Sequence, residues 1–483
     1  MIKNTKLVEC LKALNSKELR NFGDFVHSPF FNKHKETMVL FDFFYQKQGS
    51  WDTITKTEIY AVVFSDDRYQ EGKVNDLMSY LMVLLNKYLG QMAYEKSGYE
   101  SFFMVEGAME RNMRRLFQIN SKKERKKIEK SSEKDDAYYL KLSEIDRLND
   151  YNISTIDKRH SPVFLENSER ALEIWFILRK LRSACDMLNR KMIYDYDYDL
   201  GILNHLLTYL KERWDYFGEI LLIRIYYEIL TAFLTPQEPE HFFKLVDLIE
   251  KDRDKCNQSD TLLMFDLAIN LGINLINMDE KMYGETTFKL YLLAMEDGFH
   301  LDNQEIHHMW FKNIITLACK LKYFEWAKDF MDTNRGFLSP EIRNNAYNFN
   351  LGQLYYYQQN YNEALELLNK VNFENVFYQM NAKIMQIKIF FNLKEYGVLL
   401  SFLESFRLYL IRIKKVSSSR IKMTQNFVKY TRKFVFLLKS APLHKRKNFQ
   451  KKLQKLKEEL LETQSPILTK EWLMENLDKA ITG

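Results

Sequence analysis

Apolar residues recur along this chain at the three- and four-residue spacing of one helix face, and the two-residue alternation of a strand does not recur. The clearest stripe lies in VNDLMSYLMVLLNKYL, where Leu77, Tyr80, Leu81, Leu84, Leu85 and Tyr88 share a face. Around it, residues 1–95 predict a compact helical head. Ser16 is the expected cap of a helix through LRNFGDF. SPFF at 28–31 ends it, because Pro29 disfavours helix in the residue before it. A further helix covers 34–47, Thr53 or Thr55 can cap TEIYAVVF, and FSDDRYQEG predicts a turn.

Residues 96–160 form a charged connector. SKKERKKIEKSSEKDD mixes signs and predicts a solvated helix with a flexible link. From 161 to 300, helical hairpins follow with short polar joints. SERALEIWFILRKLRSACDMLNRK is long and amphipathic, and YDYDYD at 194–199 marks a turn. TPQEPEH at 235–241 holds two prolines close together and predicts a linker, after which HFFKLVDLIEKDRDKC restarts the pattern.

Composition supports the helical reading. The 483 residues include only 15 Gly and 7 Pro, against average usage of roughly 7% and 5%. Few breakers mean long helices, so the fold class is all-α. Hydrophobic residues make up 46% of the chain and aromatics 14%, ample material for filling between helices. Cys10, Cys185, Cys256 and Cys319 lie far apart with no CxxC pair, which suits isolated thiols in a reducing compartment. MIKNTKLVECLKALNSK is amphipathic and does not read as a secretory signal. No run approaches the ~18 apolar residues needed to span a bilayer. The expectation is a soluble, cytoplasmic protein with no membrane partner.

One stretch within 345–378 is more specific: NAYNFNLGQLYYYQQNYNEALELLNKV. Gly352 and Ala364 are twelve apart, which lets two antiparallel helices meet through small residues. Tyr355 and Tyr361 are placed to wedge the hairpin, and Leu368 and Val371 to face the next one. The pattern resembles a tetratricopeptide hairpin, with Asn348 at the family's early Trp and Val376 at its usual proline. KYFEWAKDFM places Phe324, Ala327 and Met331 in the same register 37 residues earlier. EYGVLLSFL places Tyr396, Leu399 and Leu403 there 35 residues later. The resemblance covers about 305–405, within the 301–405 block of repeats. It implies an α-solenoid of antiparallel hairpins that grips partners and performs no chemistry, capped by helices in 406–483. SPFF, DLMSYLMVLL, WFILRKLR and EWLMENL together also resemble a family of uncharacterised bacterial helical proteins, which brings no activity with it.

The resemblance places a groove on the first helix of each hairpin, with Lys312, Thr316, Phe349, Gln353, Tyr356 and Lys388 as its outward positions. The Lys and Asn carboxylate clamp of some tetratricopeptide domains does not carry over, because Phe349 and Gln353 stand in the central unit. Aromatics and amides suit an extended or helical peptide instead. The competing reading is that these residues pack on the neighbouring helix.

Charge gives a second candidate. No Asp or Glu lies between Glu404 and Glu458, and residues 405–457 carry 17 Lys and Arg. With the whole chain at +6, the remainder carries 6 − 17 = −11. Lys422, Lys429 and Lys433 share one helix face. Lys445, Lys451, Lys452 and Lys455 flank a seam of Phe449, Leu453, Leu456 and Leu460. This segment either neutralises the acidic remainder and solvates a face, or docks on nucleic-acid phosphates or an acidic protein.

Catalytic patterns are missing. His300, His307 and His308 do not form HExxH, and Asp195, Asp197 and Asp199 lack the Gly and terminal Glu of a calcium loop. No phosphate-binding glycine loop or nucleophile elbow occurs. The expectation is a non-enzymatic protein with no metal or cofactor. The head is similar in outline to the helical part of winged-helix regulators. Residues 74–89 offer only Lys87 to a phosphate, however, so a plain capping domain is the better expectation.

Overall fold

The computed structural model describes residues 2–64, 68–155, 162–194, 196–276, 280–371, 376–413, 418–440, 446–463 and 465–482. Among these the chain is all-α, with twenty-four α-helices and no strand. It divides into two compact units, residues 1–175 and 176–483. The division falls inside one long helix, Val163–Tyr194, and the expected boundary at 160 lies outside the described residues.

The first unit begins with α1 (Lys6–Ala13), α2 (Ser16–His27), α3 (Lys35–Gln46), α4 (Lys56–Val63) and α5 (Glu71–Ser97). The cap of α2 is Asn15 and not Ser16. Asn15 Oδ1 accepts from the Lys17 and Glu18 amides, and Glu18 takes the Asn15 N–H in return. Capping one residue earlier puts a glutamate at the third helical position, which closes the reciprocal box. Thr55 and Glu58 repeat that device on α4. The expected stripe on α5 is buried at Leu77, Leu81, Leu84, Leu85 and Tyr88, joined by Val74 and Met78. Tyr80 instead sits at its margin, 38% exposed, beside the His34 ring.

The charged connector is more ordered than its composition suggests. It forms α6 (Glu100–Glu110), α7 (Arg114–Glu129) and α8 (Asp136–Ser154) around a small core of Phe102, Val105, Phe117, Ile128, Ile145 and Leu148. Two charges face inward and find partners. Arg125 pairs with the buried Asp146, and Ser101 donates to the buried Glu124. Pairing is what makes such burial tolerable.

After α9 (Val163–Tyr194), the second unit continues with α10 (Leu203–Glu212), α11 (Trp214–Phe217), α12 (Leu221–Leu234) and α13 (Pro239–Asp252). TPQEPEH is a short joint that ends in the first turn of α13, where Pro239 loses no helical hydrogen bond. Next come α14 (Gln258–Ile276) and α15 (Glu280–Glu296). Helix α14 departs from the expectation that no segment is long and apolar enough to span a bilayer, being the one that passes by length and composition among the described residues. Its most apolar window is 61% buried, and its Asp260 accepts from Arg182 at 2.9 Å and from Tyr226 at 2.8 Å.

Then follow α16 (His308–Lys320), α17 (Phe324–Asn334), α18 (Arg343–Tyr357), α19 (Tyr361–Asn369), α20 (Val376–Asn392) and α21 (Tyr396–Arg412). The unit closes with α22 (Ser418–Ser440), α23 (Arg446–Glu462) and α24 (Lys470–Thr482). From α12 onward each helix packs on the next in sequence, and α12, α13, α16, α18 and α22 pack on the one after as well.

Three hairpins of the second unit share one turn, which α6 and α7 also use at Asn112. Lys322, Gln359 and Lys394 each adopt positive φ, at 65°, 65° and 57°. In each the following amide bonds back to a carbonyl five residues earlier: Tyr323 to Ala318, Asn360 to Tyr355, Glu395 to Phe390. The turn residue's own amide reaches three back, to Cys319, Tyr356 and Phe391. This is the Schellman pattern, which satisfies the carbonyls left open at a helix end. Ala327, Ala364 and Leu399 follow each turn at the same offset, and all are fully buried.

Gly352 and Ala364 do meet. A Cβ on Gly352 would sit 3.1 and 3.2 Å from Leu368 carbons and 3.3 Å from the Ala364 carbonyl oxygen. Two roles differ from the expectation. Leu368 packs on Gly352 inside its own hairpin, while the Tyr361 hydroxyl reaches the next one, accepting from Asn392 at 3.0 Å. A tighter approach upstream carries no repeat signature. A Cβ on Gly272 in α14 would meet Thr287 Oγ1 of α15 at 2.4 Å and its Cγ2 at 2.8 Å.

These contacts rank three substitutions. Gly272→Ala should destabilise the protein by about 1–3 kcal/mol, since Thr287 must be displaced. Gly352→Ala should change stability by about 1 kcal/mol or less, because relief of helix-interior glycine offsets a contact needing only a few tenths of an ångström. Gln359→Gly should stabilise by about 0.5–1 kcal/mol, by removing a side chain from a left-handed backbone. Denaturant titration of each variant against the parent checks the order.

Candidate interaction surfaces

The six expected groove residues lie on α16, α18 and α20, whose neighbours in the packing are one another. The structure closes the middle of that face. Phe349 and Gln353 are 2% and 3% exposed, and the Phe349 ring lies 5.5 Å from that of Tyr378. They pack on the neighbouring helix and do not line an open groove, because these helices stand side by side at that level. Lys312, Thr316, Tyr356 and Lys388 remain partly exposed, and the Thr316 hydroxyl donates to the Lys312 carbonyl at 2.7 Å.

Lys312 and Lys388 are the unusual members. Loss of water around each ammonium is the main cause of a pKa pushed down to about 8. Arg420 adds like-charge repulsion at Lys312, and Lys320 does so at Lys388. Glu471 and Glu475 of α24 act in the opposite direction on Lys388. Their helix covers that end of the face. Trp472 packs edge-on against Phe391 at 5.0 Å and Phe427 at 6.0 Å, with the Lys388 ammonium 5.7 Å above its ring. Burial raises the pKa of the Tyr356 hydroxyl, and Asn392 and Trp472 beside it offset part of that rise. The only sequence signal was an amphipathic EWLMENL with acids beside its tryptophan, and nothing in it names the face it covers.

The basic segment assembles differently. A groove of about 620 Å³ runs between α21, α22 and α23. It gathers Lys429 and Lys433 of α22 with Lys452 and Lys455 of α23, and adds Arg407 and Arg432, which the sequence had not singled out. Lys422 is exposed seven residues before Lys429 on the same helix, and Lys451 is exposed beside Lys452. Lys445 lies outside the described residues. Two acids stand among these cations. Glu404 pairs with Arg407 at 2.7 Å and Arg432 at 3.3 Å, and Glu459 pairs with Lys433 at 2.6 Å. The groove is also apolar, with Val428, Phe436, Leu437 and Leu456 in its lining.

All four cysteines are free thiols. Burial pushes the Cys256 and Cys319 thiols up to about 12 and raises Cys185 as well, so each stays protonated. Burial lowers the pKa of His300 and His308. Among the described residues, no three His, Cys, Asp or Glu side chains gather as a metal would need. Asp195 lies outside those residues, and Asp197 pairs with Lys191 at 2.5 Å.

The depressed lysines give a pH prediction. The unfolded chain holds these protons up to about 10.5, whereas the folded protein gives them up from about 8. Stability therefore rises with pH between those values, and the full burden is present below about 8. Lys388→Met should stabilise by about 1–2 kcal/mol at pH 7. The gain should shrink by pH 9.5, as read from paired denaturation curves.

No family model, curated protein or solved structure matches this chain.

Proposed function

We propose that this protein is a non-enzymatic interaction scaffold, a tetratricopeptide-like α-solenoid that captures a peptide or helix of a partner protein. The observation that carries the reading is the turn shared by the hairpins at Lys322, Gln359 and Lys394, with the Gly352–Ala364 approach inside the central one. Identical turns at 37- and 35-residue steps give each hairpin the same internal bend, and like units of this kind are what a repeat array stacks. In this reading α22 to α24 cap the array, and Trp472 seals its Lys388 end. A reducing cytoplasmic setting fits the four free thiols.

Lys312, Thr316 and Tyr356 keep partial exposure on that face, so the captured segment is short and carries an acidic or amide group toward Lys312. A nucleic-acid-associated role is the second reading, and it draws on the cations gathered between α21 and α23. Peptide display on the immobilised full chain tests the first. Selected peptides should share a motif and lose about tenfold or more in affinity with Lys312→Glu combined with Thr316→Arg. A chain that selects no motif, or whose peptides ignore that pair, does not use this face.

A further inference from the structure

We infer that the groove between α21, α22 and α23 docks an acidic amphipathic helix of a partner protein. The inference rests on this groove alone and stands apart from the peptide face on α16 to α20. Three features select that occupant.

The first is the floor. Val428 and Leu456 are 2% and 5% exposed, so they form a set base, and Leu437 borders it. Phe436 stands 64% exposed over that base. An aromatic side chain left in water beside a concave apolar floor is the anchor arrangement of helix-in-groove recognition. Leu408 and Ile411, 42% and 61% exposed, extend the apolar strip along α21 beyond Arg407.

The second is the rim. Arg407, Lys429, Arg432, Lys433, Lys452 and Lys455 surround the floor, with Glu404 and Glu459 paired among them. These eight residues together carry a net 6 − 2 = 4 positive charges. In the sequence the acid-free run spans residues 405–457, while in space the rim draws its cations from three helices. A complementary partner carries carboxylates on both flanks of an apolar stripe, which is an amphipathic acidic helix.

The third is what the groove lacks. Sequence-tolerant single-strand binders lay successive bases on a series of aromatic rings. Among the described residues of this lining, Phe436 is the one aromatic side chain. A phosphate backbone would satisfy the rim and leave the floor and Phe436 without a partner.

Fluorescence anisotropy on the full chain tests this with three labelled probes. One is a synthetic helix with leucines at every third and fourth position and glutamates elsewhere. The second is a scramble of it, and the third is a DNA of about 20 nucleotides (single strand and duplex), a length chosen to exceed about one OB-fold site. The amphipathic peptide should bind, and the scramble should bind about tenfold or more weakly. Phe436→Asp, and separately Lys429→Glu with Lys455→Glu, should each weaken the peptide about tenfold or more. All three side chains are exposed, so the variants should keep the parent's circular dichroism. Equal binding of peptide and scramble, or indifference to Phe436→Asp, overturns the proposal. DNA bound more tightly than the peptide, with a steep salt dependence and no response to Phe436→Asp, assigns the groove to nucleic acid instead. Self-association in sedimentation that Phe436→Asp abolishes overturns it too, and assigns the groove to the acidic remainder of a second copy.

Discussion

Close approach of consecutive antiparallel helices is the constraint on which the second unit depends. Where two helices meet through Gly352 and the Ala364 backbone, no side chain can be added without moving Leu368. Where they meet through Gly272 and Thr287 the space is smaller still. These contacts set the separation inside a hairpin, and the Schellman turns close the reversal between its two helices. Everything that projects from the hairpins, including Lys312, Tyr356 and Lys388, inherits its position from that spacing. The turns accept a local penalty for it, since Lys322, Gln359 and Lys394 are not glycine yet sit at positive φ.

Electrostatics then distinguishes two faces built from the same material. On α16 and α20, packing strips water from Lys312 and Lys388, and like charges nearby add to the strain. Helix α24 relieves part of it with Glu471, Glu475 and the face of Trp472. Between α21 and α23 the cations stand exposed around an apolar floor. Exposed charge around a concave apolar base meets a partner at little further cost, whereas a desolvated ammonium such as Lys312 is a load on the fold until a counter-charge reaches it.

Buried acids in both units follow one rule: each meets a group from another helix. Asp260 joins Arg182 and Tyr226, Asp146 joins Arg125, and Glu228 pairs with His241 at 2.6 Å. A misplaced neighbour would leave such an acid buried without a partner, which is costly. In α7 this turned an apparently solvated, mixed-charge run into a packed helix, with Glu124 and Phe117 inside.

The sequence by itself determined the helices, because the 3.6-residue period and scarce breakers are local properties. It also determined the Gly352–Ala364 meeting, since a twelve-residue offset across a tight turn leaves little choice of partner. Tertiary structure decided the rest. Phe349 and Gln353 went inside because a neighbouring helix, invisible in their own periodicity, closes over them. Gly272 gave no sign of its role, because its partner Thr287 belongs to no recurring motif. The lysine-rich run showed its charge but not its shape. Only the packing of three helices could bring Arg407 and Arg432 to the lysines and set Phe436 above an apolar floor, because a concave surface is a property of several segments at once.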